Sequence, residues 1–402
     1  MKTYPAIYWI ETREKKYYPL QVILGKAEVL FRIGDWESAE NIYRQGMCEV
    51  EGGDRRTAAS LRNRLAMLLG YRGFNQEALY LLQETVETFK DAIDETLESD
   101  IFKNFGFFYE DLGQHIKAIE CYQRSLDICQ RQGNKRGVAS CNGNLGIMYA
   151  KLGEFDKSLE KFSELLRISE ELGDIHGISL AHGNLGLLFI QIGEFTKAME
   201  SLDIKLRLSE RMGDRLGLLQ ALGSAGDLKL NLGEYKQAYF FFEKALEHAR
   251  AMENHQFVLL ALQRMGEAKL RMGEDVLGLD LIDQAVEIAS KYGMESFQAN
   301  ALLVKGKALK SLGKSEEAAQ ELGRALALAE ELGNIIIKLE AALLLAEILL
   351  QSGENAKCVE LVKRAAPLCA TVKHQELTEL CAALCAKLGI EVGPDLSSND
   401  ST

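Results

Sequence analysis

The stretch from Gly133 to Met212 is one forty-residue phrase written twice, and this repetition constrains the fold more than any other feature. The first copy reads GNKRGVASCNGNLGIMYAKLGEFDKSLEKFSELLRISEEL and the second GDIHGISLAHGNLGLLFIQIGEFTKAMESLDIKLRLSERM. The GNLG quartet and the GEF corner recur at the same offsets. A fixed period of 20–50 residues is the mark of stacked units, each too small to bury its own apolar face.

Each copy contains two helices. Between Gly137 and Leu152 the larger apolar residues Val138, Cys141, Leu145, Met148, Tyr149 and Leu152 fall in steps of three and four, as on one face of a helix. Gly153 stops that helix, because glycine accepts the left-handed conformation of a C-terminal cap. A second helix starts at Phe155 and carries Leu159, Phe162, Leu166, Ile168 and Leu172 on its inner side. Gly173 ends it, and Asp174 supplies a polar side chain to cap the next. Connections this short make the pair an antiparallel hairpin.

Corner glycines continue along the chain at Gly34, Gly73, Gly113, Gly153, Gly193, Gly233, Gly273, Gly313 and Gly353, which predicts nine hairpins. Five residues after each corner stands a small residue, such as Ala118, Ser158 or Ala198, and seven before stands another, such as Gly106, Gly146 or Gly226. Both columns fit a close helix crossing with no room for a large side chain. Bulky residues such as Tyr122, Phe162 and Phe242 fill the next layer.

The pattern N-L-G-x-x-Y before the corner, followed by G-E-F, a small residue and an aromatic, resembles the tetratricopeptide repeat. The forty-residue period, with G-D or G-N joining units, is similar to the long-repeat branch of LGN-type adaptors, to which rapsyn is also related. LGN's G-protein-binding motifs, rapsyn's terminal cysteine and histidine array and the longer repeat of kinesin light chains have no counterpart here. The resemblance covers about Leu20 to Leu388. It implies an all-α fold: a right-handed α-solenoid of helix-turn-helix repeats, nine hairpins and a final capping helix from His374 to Lys387.

Three segments follow. Residues 1–18, with Tyr4, Pro5, Tyr8, Trp9, Tyr17 and Tyr18, are expected to cap the first hairpin, since terminal repeats of an array need covering. Residues 19–388 form the solenoid. Residues 389–402 are polar and expected to be disordered.

The chain's 47 basic and 59 acidic residues give a net charge of −12, which argues against nucleic acid or anionic lipid as the main partner. No apolar run is long enough to span a bilayer, and Tyr4–Ile10 is too short and mixed for a signal peptide. The expectation is a cytoplasmic protein with no membrane insertion.

No metal-binding, phosphate-loop or nucleophile motif accompanies the repeats, so no enzyme, cofactor, metal or small-molecule substrate is expected. The one metal candidate is Cys369, His374, Cys381 and Cys385. Cys381 and Cys385 share a helix face, but the run LCAALCAKL uses cysteine as a small core residue. With no secretory signal, the 8 cysteines are expected to be thiols.

The resemblance also implies where a partner binds: on the first helix of each hairpin, at columns thirteen, ten, nine, six, three and two residues before the corner. The nine-before column contains the amide ladder Asn104, Asn144 and Asn184, then Arg264. Each amide offers a donor and an acceptor to a peptide backbone. Lys103, Lys151, Gln191, Asp227, Asn231, Gln263, Glu267 and Arg271 complete the groove, while Lys161 and Lys197 belong to the outer side. A carboxylate clamp of the co-chaperone kind is incomplete. Lys103 and Asn144 fit two of its five places, and Phe107, Leu180 and Asn184 occupy the rest. The reading is a scaffold or adaptor that binds a protein or peptide segment, with a sensor module of a larger signalling system as the alternative.

Overall fold

A computed structural model of the protein describes residues 20–32, 35–50, 54–371 and 375–390. The aromatic segment 1–18, the corner Gly34, His374 and most of the polar tail lie outside them. The described residues form helices and short turns, with no strand among them.

The chain divides into two compact units, Met1–Leu188 and Phe189–Thr402. The first contains hairpins α1 (Leu20–Arg32) with α2 (Trp36–Val50), α3 (Arg55–Tyr71) with α4 (Asn75–Thr88), α5 (Glu95–Asp111) with α6 (His115–Arg131), and α7 (Lys135–Lys151) with α8 (Phe155–Leu172). The boundary falls inside α9 (Ile175–Gln191). The second unit contains α10 (Phe195–Met212), α11 (Arg215–Asn231) with α12 (Tyr235–Ala251), α13 (His255–Arg271) with α14 (Asp275–Lys291), and α15 (Glu295–Ser311) with α16 (Ser315–Glu331). It ends with α17 (Ile335–Gln351), α18 (Asn355–Thr371) and α19 (Gln375–Leu388). This is the all-α solenoid the repeat implies.

The corner glycines do what the sequence requires of them. Gly153 has φ 77° and Gly233 φ 76°, in the left-handed region that other residues adopt at a cost. The joints between repeats use the same geometry at Gly173 (φ 62°), and at Glu253 a non-glycine adopts it at φ 53°.

Start signals differ between the two kinds of helix. Asp94, Asn134, Asp174, Asp214, Asn254 and Asn334 each accept a hydrogen bond from the backbone N–H three residues on, at 2.9–3.2 Å. Second helices such as α6, α8 and α12 begin without a side-chain cap. Asn334→Ala should therefore lower stability by about 1 kcal/mol, and Asn334→Asp should retain it. Urea unfolding of the two variants checks this, and equal midpoints would remove the cap's role.

The small columns sit where helices cross. A Cβ on Gly146 would stand 2.5 Å from the Phe162 ring, and one on Gly226 2.5 Å from Phe242. A further small column lies sixteen residues after the corner, at Cys129, Ser169, Ser209, Ala249, Ala289, Ala329 and Cys369, all buried. It packs one hairpin on the next: the Cβ that Gly177 lacks would collide with Ser169 Oγ.

Candidate functional site

In the first unit α3 approaches α5 closely, and in the second α11 approaches α13, α13 approaches α15 and α15 approaches α17. Among the described residues, successive second helices do not approach one another in this way. Where these pairs stand, the closer approach puts the first helices on the inner side of the stack. Side-chain bonds between neighbouring first helices mark the same surface.

In the first unit this surface combines amides with apolar side chains. Asn104 is buried, and its Nδ2 donates to Asn63 Oδ1 at 2.8 Å, joining α5 to α3. Asn144 is half-buried and makes no side-chain hydrogen bond among the described residues. Asn184 is also half-buried, and its Nδ2 is covered with no acceptor. The ladder is thus two amides without intrachain partners and a third already bonded. Beside it runs the six-before column: Phe107 and Ile147, half-buried, and Leu187, 48% exposed. Leu180 adds a second apolar side chain, 44% exposed. Tyr71 packs against Phe31 and Phe107, with ring centroids 5.1 and 5.9 Å apart, and extends the aromatic part toward α1.

The two sequence-selected lysines of this unit, Lys103 and Lys151, have partners. Lys103 Nζ lies 3.1 Å from Asp100 Oδ1 on its own helix. Lys151 reaches across from α7 to Glu110 Oε1 at 2.8 Å, and the same carboxylate accepts a hydrogen bond from Tyr122 Oη at 3.1 Å through Oε2. Exposed pairs of this kind contribute little to stability, about 0–1 kcal/mol, but they fix where the charges stand.

The second unit presents a different inner surface. Arg264 donates to Glu267 at 3.1 Å, and its Nε lies 3.2 Å from Asp227 Oδ1, within ion-pair reach but off the line of a hydrogen bond. Arg271 stands 3.8 Å from the other Glu267 oxygen. Loss of water around Asp227 pushes its carboxyl above the ordinary range, with Arg264 pulling it back. Asp227 Oδ1 is covered although the side chain as a whole is 43% exposed, so the desolvation acts on one oxygen. Gln263 is buried and accepts a long contact, 3.5 Å, from Asn300 Nδ2. Gln191 and Asn231 are exposed near the ends of α9 and α11. Four of the sequence-selected residues here, Asp227, Arg264, Glu267 and Arg271, thus answer one another's charge.

The C-terminal cysteines occupy a core. Cys369, Cys381 and Cys385 are buried among Leu339, Val362, Leu377 and Leu384, and burial pushes the Cys385 thiol up to about 11. Among the described residues no group of three His, Cys, Asp or Glu side chains is placed to hold a metal ion. Nor, among them, is any helix long and apolar enough to cross a membrane.

Sequence reasoning missed Asn63, the partner of Asn104, and the apolar run Phe107, Ile147, Leu187. The six-before column carried the signal for the latter: apolar at Met67, Phe107, Ile147 and Leu187, it turns charged at Asp227 and Glu267.

Comparison with known proteins bears on the whole chain. A search of curated proteins found no match. Among solved structures, the chain is similar to the apo form of the quorum sensor NprR from B. thuringiensis, with TM-score 0.59 and 14% identity over 87% of this chain and 98% of that one. It is similar to aspartyl phosphate phosphatase F from Bacillus subtilis, with TM-score 0.55 and 13% identity over 89% and 95%. A Rap protein complexed with Competence and Sporulation Factor gives TM-score 0.53 and 14% identity over 90% and 99%. Identities this low establish the fold alone. Sequence profiles described as tetratricopeptide repeat match residues 58–93, 95–171, 181–216, 219–251 and 299–332, together more than half of the chain. With the helical hairpins and their packing columns, these matches place the chain in the tetratricopeptide repeat family.

Proposed function

We propose that the protein is a non-enzymatic scaffold that binds an extended segment of a protein partner along the first helices of its first unit. The observation that carries this is the strip formed by Asn144 and Asn184 beside Ile147 and the exposed Leu187. A peptide has backbone amides at every residue and side chains alternating to either side. Side-chain amides replace the water lost by its backbone, and the apolar column takes side chains from one of its faces. In the second unit the six-before column is instead Asp227, Glu267, Lys307 and Glu347, charged residues that pair within the chain, so the first unit is the better receptor.

A sensor reading is favoured by one finding, the likeness to a structure described as a quorum sensor and to another solved with Competence and Sporulation Factor. In that reading the bound segment is a free peptide signal. Both readings place the ligand on the same strip.

The test is hydrogen exchange on the protein with and without a partner captured by affinity from its own cell extract. Binding should slow exchange in α5, α7 and the Asn184 region of α9, with α6 and α8 unchanged. Protection confined to α6 and α8 would put the partner on the outer side and end this reading.

A further inference from the structure

Between α5, the end of α6 and the start of α7, the first unit contains a cavity of about 240 Å3. Its lining includes Lys103 and Ser140, which belong to the ten-before and thirteen-before columns of the first helices. We propose that this cavity is a side pocket of the peptide-binding strip that takes one carboxylate side chain, aspartate or glutamate, of the bound segment. The proposal rests on the reading of that strip as a peptide site.

The floor of the pocket is satisfied by itself. Ser99 Oγ lies 3.0 Å from Ser125 Oγ and 3.1 Å from Cys129 Sγ, and Cys141 Sγ donates to Ser125 Oγ at 3.3 Å. Ser125 Oγ also donates to the Ser99 carbonyl at 2.9 Å. Burial pushes the Cys141 thiol up to about 11, so the floor is neutral. The charge that selects a ligand must come from the rim.

The rim is cationic on balance. Its one carboxylate, Asp100, is held by Lys103 at 3.1 Å. Arg136, on the first turn of α7, has no ion-pair or hydrogen-bond partner among the described residues. Asn134 uses Oδ1 to cap α7, accepting from Gly137 N at 3.0 Å, which leaves its Nδ2 as a donor, and the Ser140 hydroxyl also lines the pocket. A guanidinium fork, an amide N–H and a hydroxyl on one lining supply the donors that the two oxygens of a carboxylate take. A space of this size admits an amino-acid side chain but not a folded element. The surrounding chain carries net charge −12, so an acidic residue is stabilised at few places along it, and this pocket would fix the register of the segment.

Glutarate, with glutaramide as its neutral counterpart, probes the pocket without any partner. Saturation-transfer NMR on the full chain should show glutarate binding in wild type and glutaramide binding at least fivefold weaker. Arg136→Gln should weaken glutarate at least fivefold, and Arg215→Gln, an exposed arginine on the first turn of α11, should leave it unchanged. Absence of transfer in wild type, equal binding by R136Q, or equal binding of glutaramide would each overturn the proposal. Displacement of glutarate by inorganic phosphate at a tenfold lower concentration would also overturn it, in favour of a phosphorylated side chain. If the pocket fails while the α5–α7 surface is still protected by partner, the peptide strip stands without it. If glutarate binds but no protection appears there, the strip fails and the pocket remains as an isolated anion site.

Discussion

Gly266→Leu should lower the stability of the second unit by about 3 kcal/mol, the upper end of the usual penalty for overpacking. A Cβ at this position would stand 2.8 Å from the carbonyl oxygen of Gly278 and 2.7 Å from Ile282 Cγ1. A side chain can turn away from such a clash, but a backbone carbonyl inside a helix cannot. Gly146→Leu, where the neighbour is the Phe162 ring at 2.5 Å, should cost about 1–3 kcal/mol, since a ring can shift in part. Alanine decides the sign. In a helix interior Gly→Ala gains about 0.5–1 kcal/mol, and Gly323→Ala, with nothing within 4 Å of the new Cβ, should show that gain. Gly266→Ala should destabilise despite the same gain in helix propensity. Because each repeat contacts only its neighbours, hydrogen exchange in Gly266→Leu should quicken first in α13 and α14. If Gly266→Ala and Gly323→Ala shift the urea midpoint in the same direction, the close crossing of α13 and α14 is wrong.

Much of this architecture was legible because it is periodic. A glycine at φ 77° and a buried small residue five positions later recur every forty residues, and repetition separates them from chance. Asp174 announced its cap for the same reason. The column at Cys129, Ser169 and Ser209 is just as regular, but it packs one hairpin on the next, and comparisons confined to a single hairpin do not expose it. Side-chain partners were not legible. Asn104 and Asn144 occupy the same repeat position, yet only Asn104 finds an amide opposite, because position 63 is asparagine whereas position 103 is lysine. The ion pairs of Asp227, Arg264 and Glu267 likewise depend on how close α11 stands to α13, which no spacing along the chain encodes. Lys161 is a further case. Its side chain is 22% exposed and lies 3.0 Å from Glu160, which is 69% exposed, a difference between neighbours that no spacing encodes.

Replacing Asn144 and Asn184 together by alanine should weaken partner capture tenfold or more while leaving the melting temperature nearly unchanged. The two halves of this expectation have separate causes. A bound segment loses water from its backbone, and each backbone group left unpaired in the complex costs about 1–3 kcal/mol, where about 1.4 kcal/mol is already tenfold in affinity. Free protein loses little, because Asn144 makes no side-chain bond among the described residues and Asn184 Nδ2 is covered without an acceptor. Asn104 is the wrong residue for this test. Its removal would strand Asn63 Oδ1, bonded at 2.8 Å, and mix a stability loss with any binding loss. The matched outer pair is Glu160→Gln with Glu200→Gln, two exposed residues seven positions after successive corners. That pair should leave capture within twofold of wild type. Leu187→Ala, which removes exposed apolar surface and no polar group, should weaken capture without lowering stability. Capture lost in the glutamine pair and intact in the alanine pair would move the partner to the second helices, and the amides would then be features of the repeat alone.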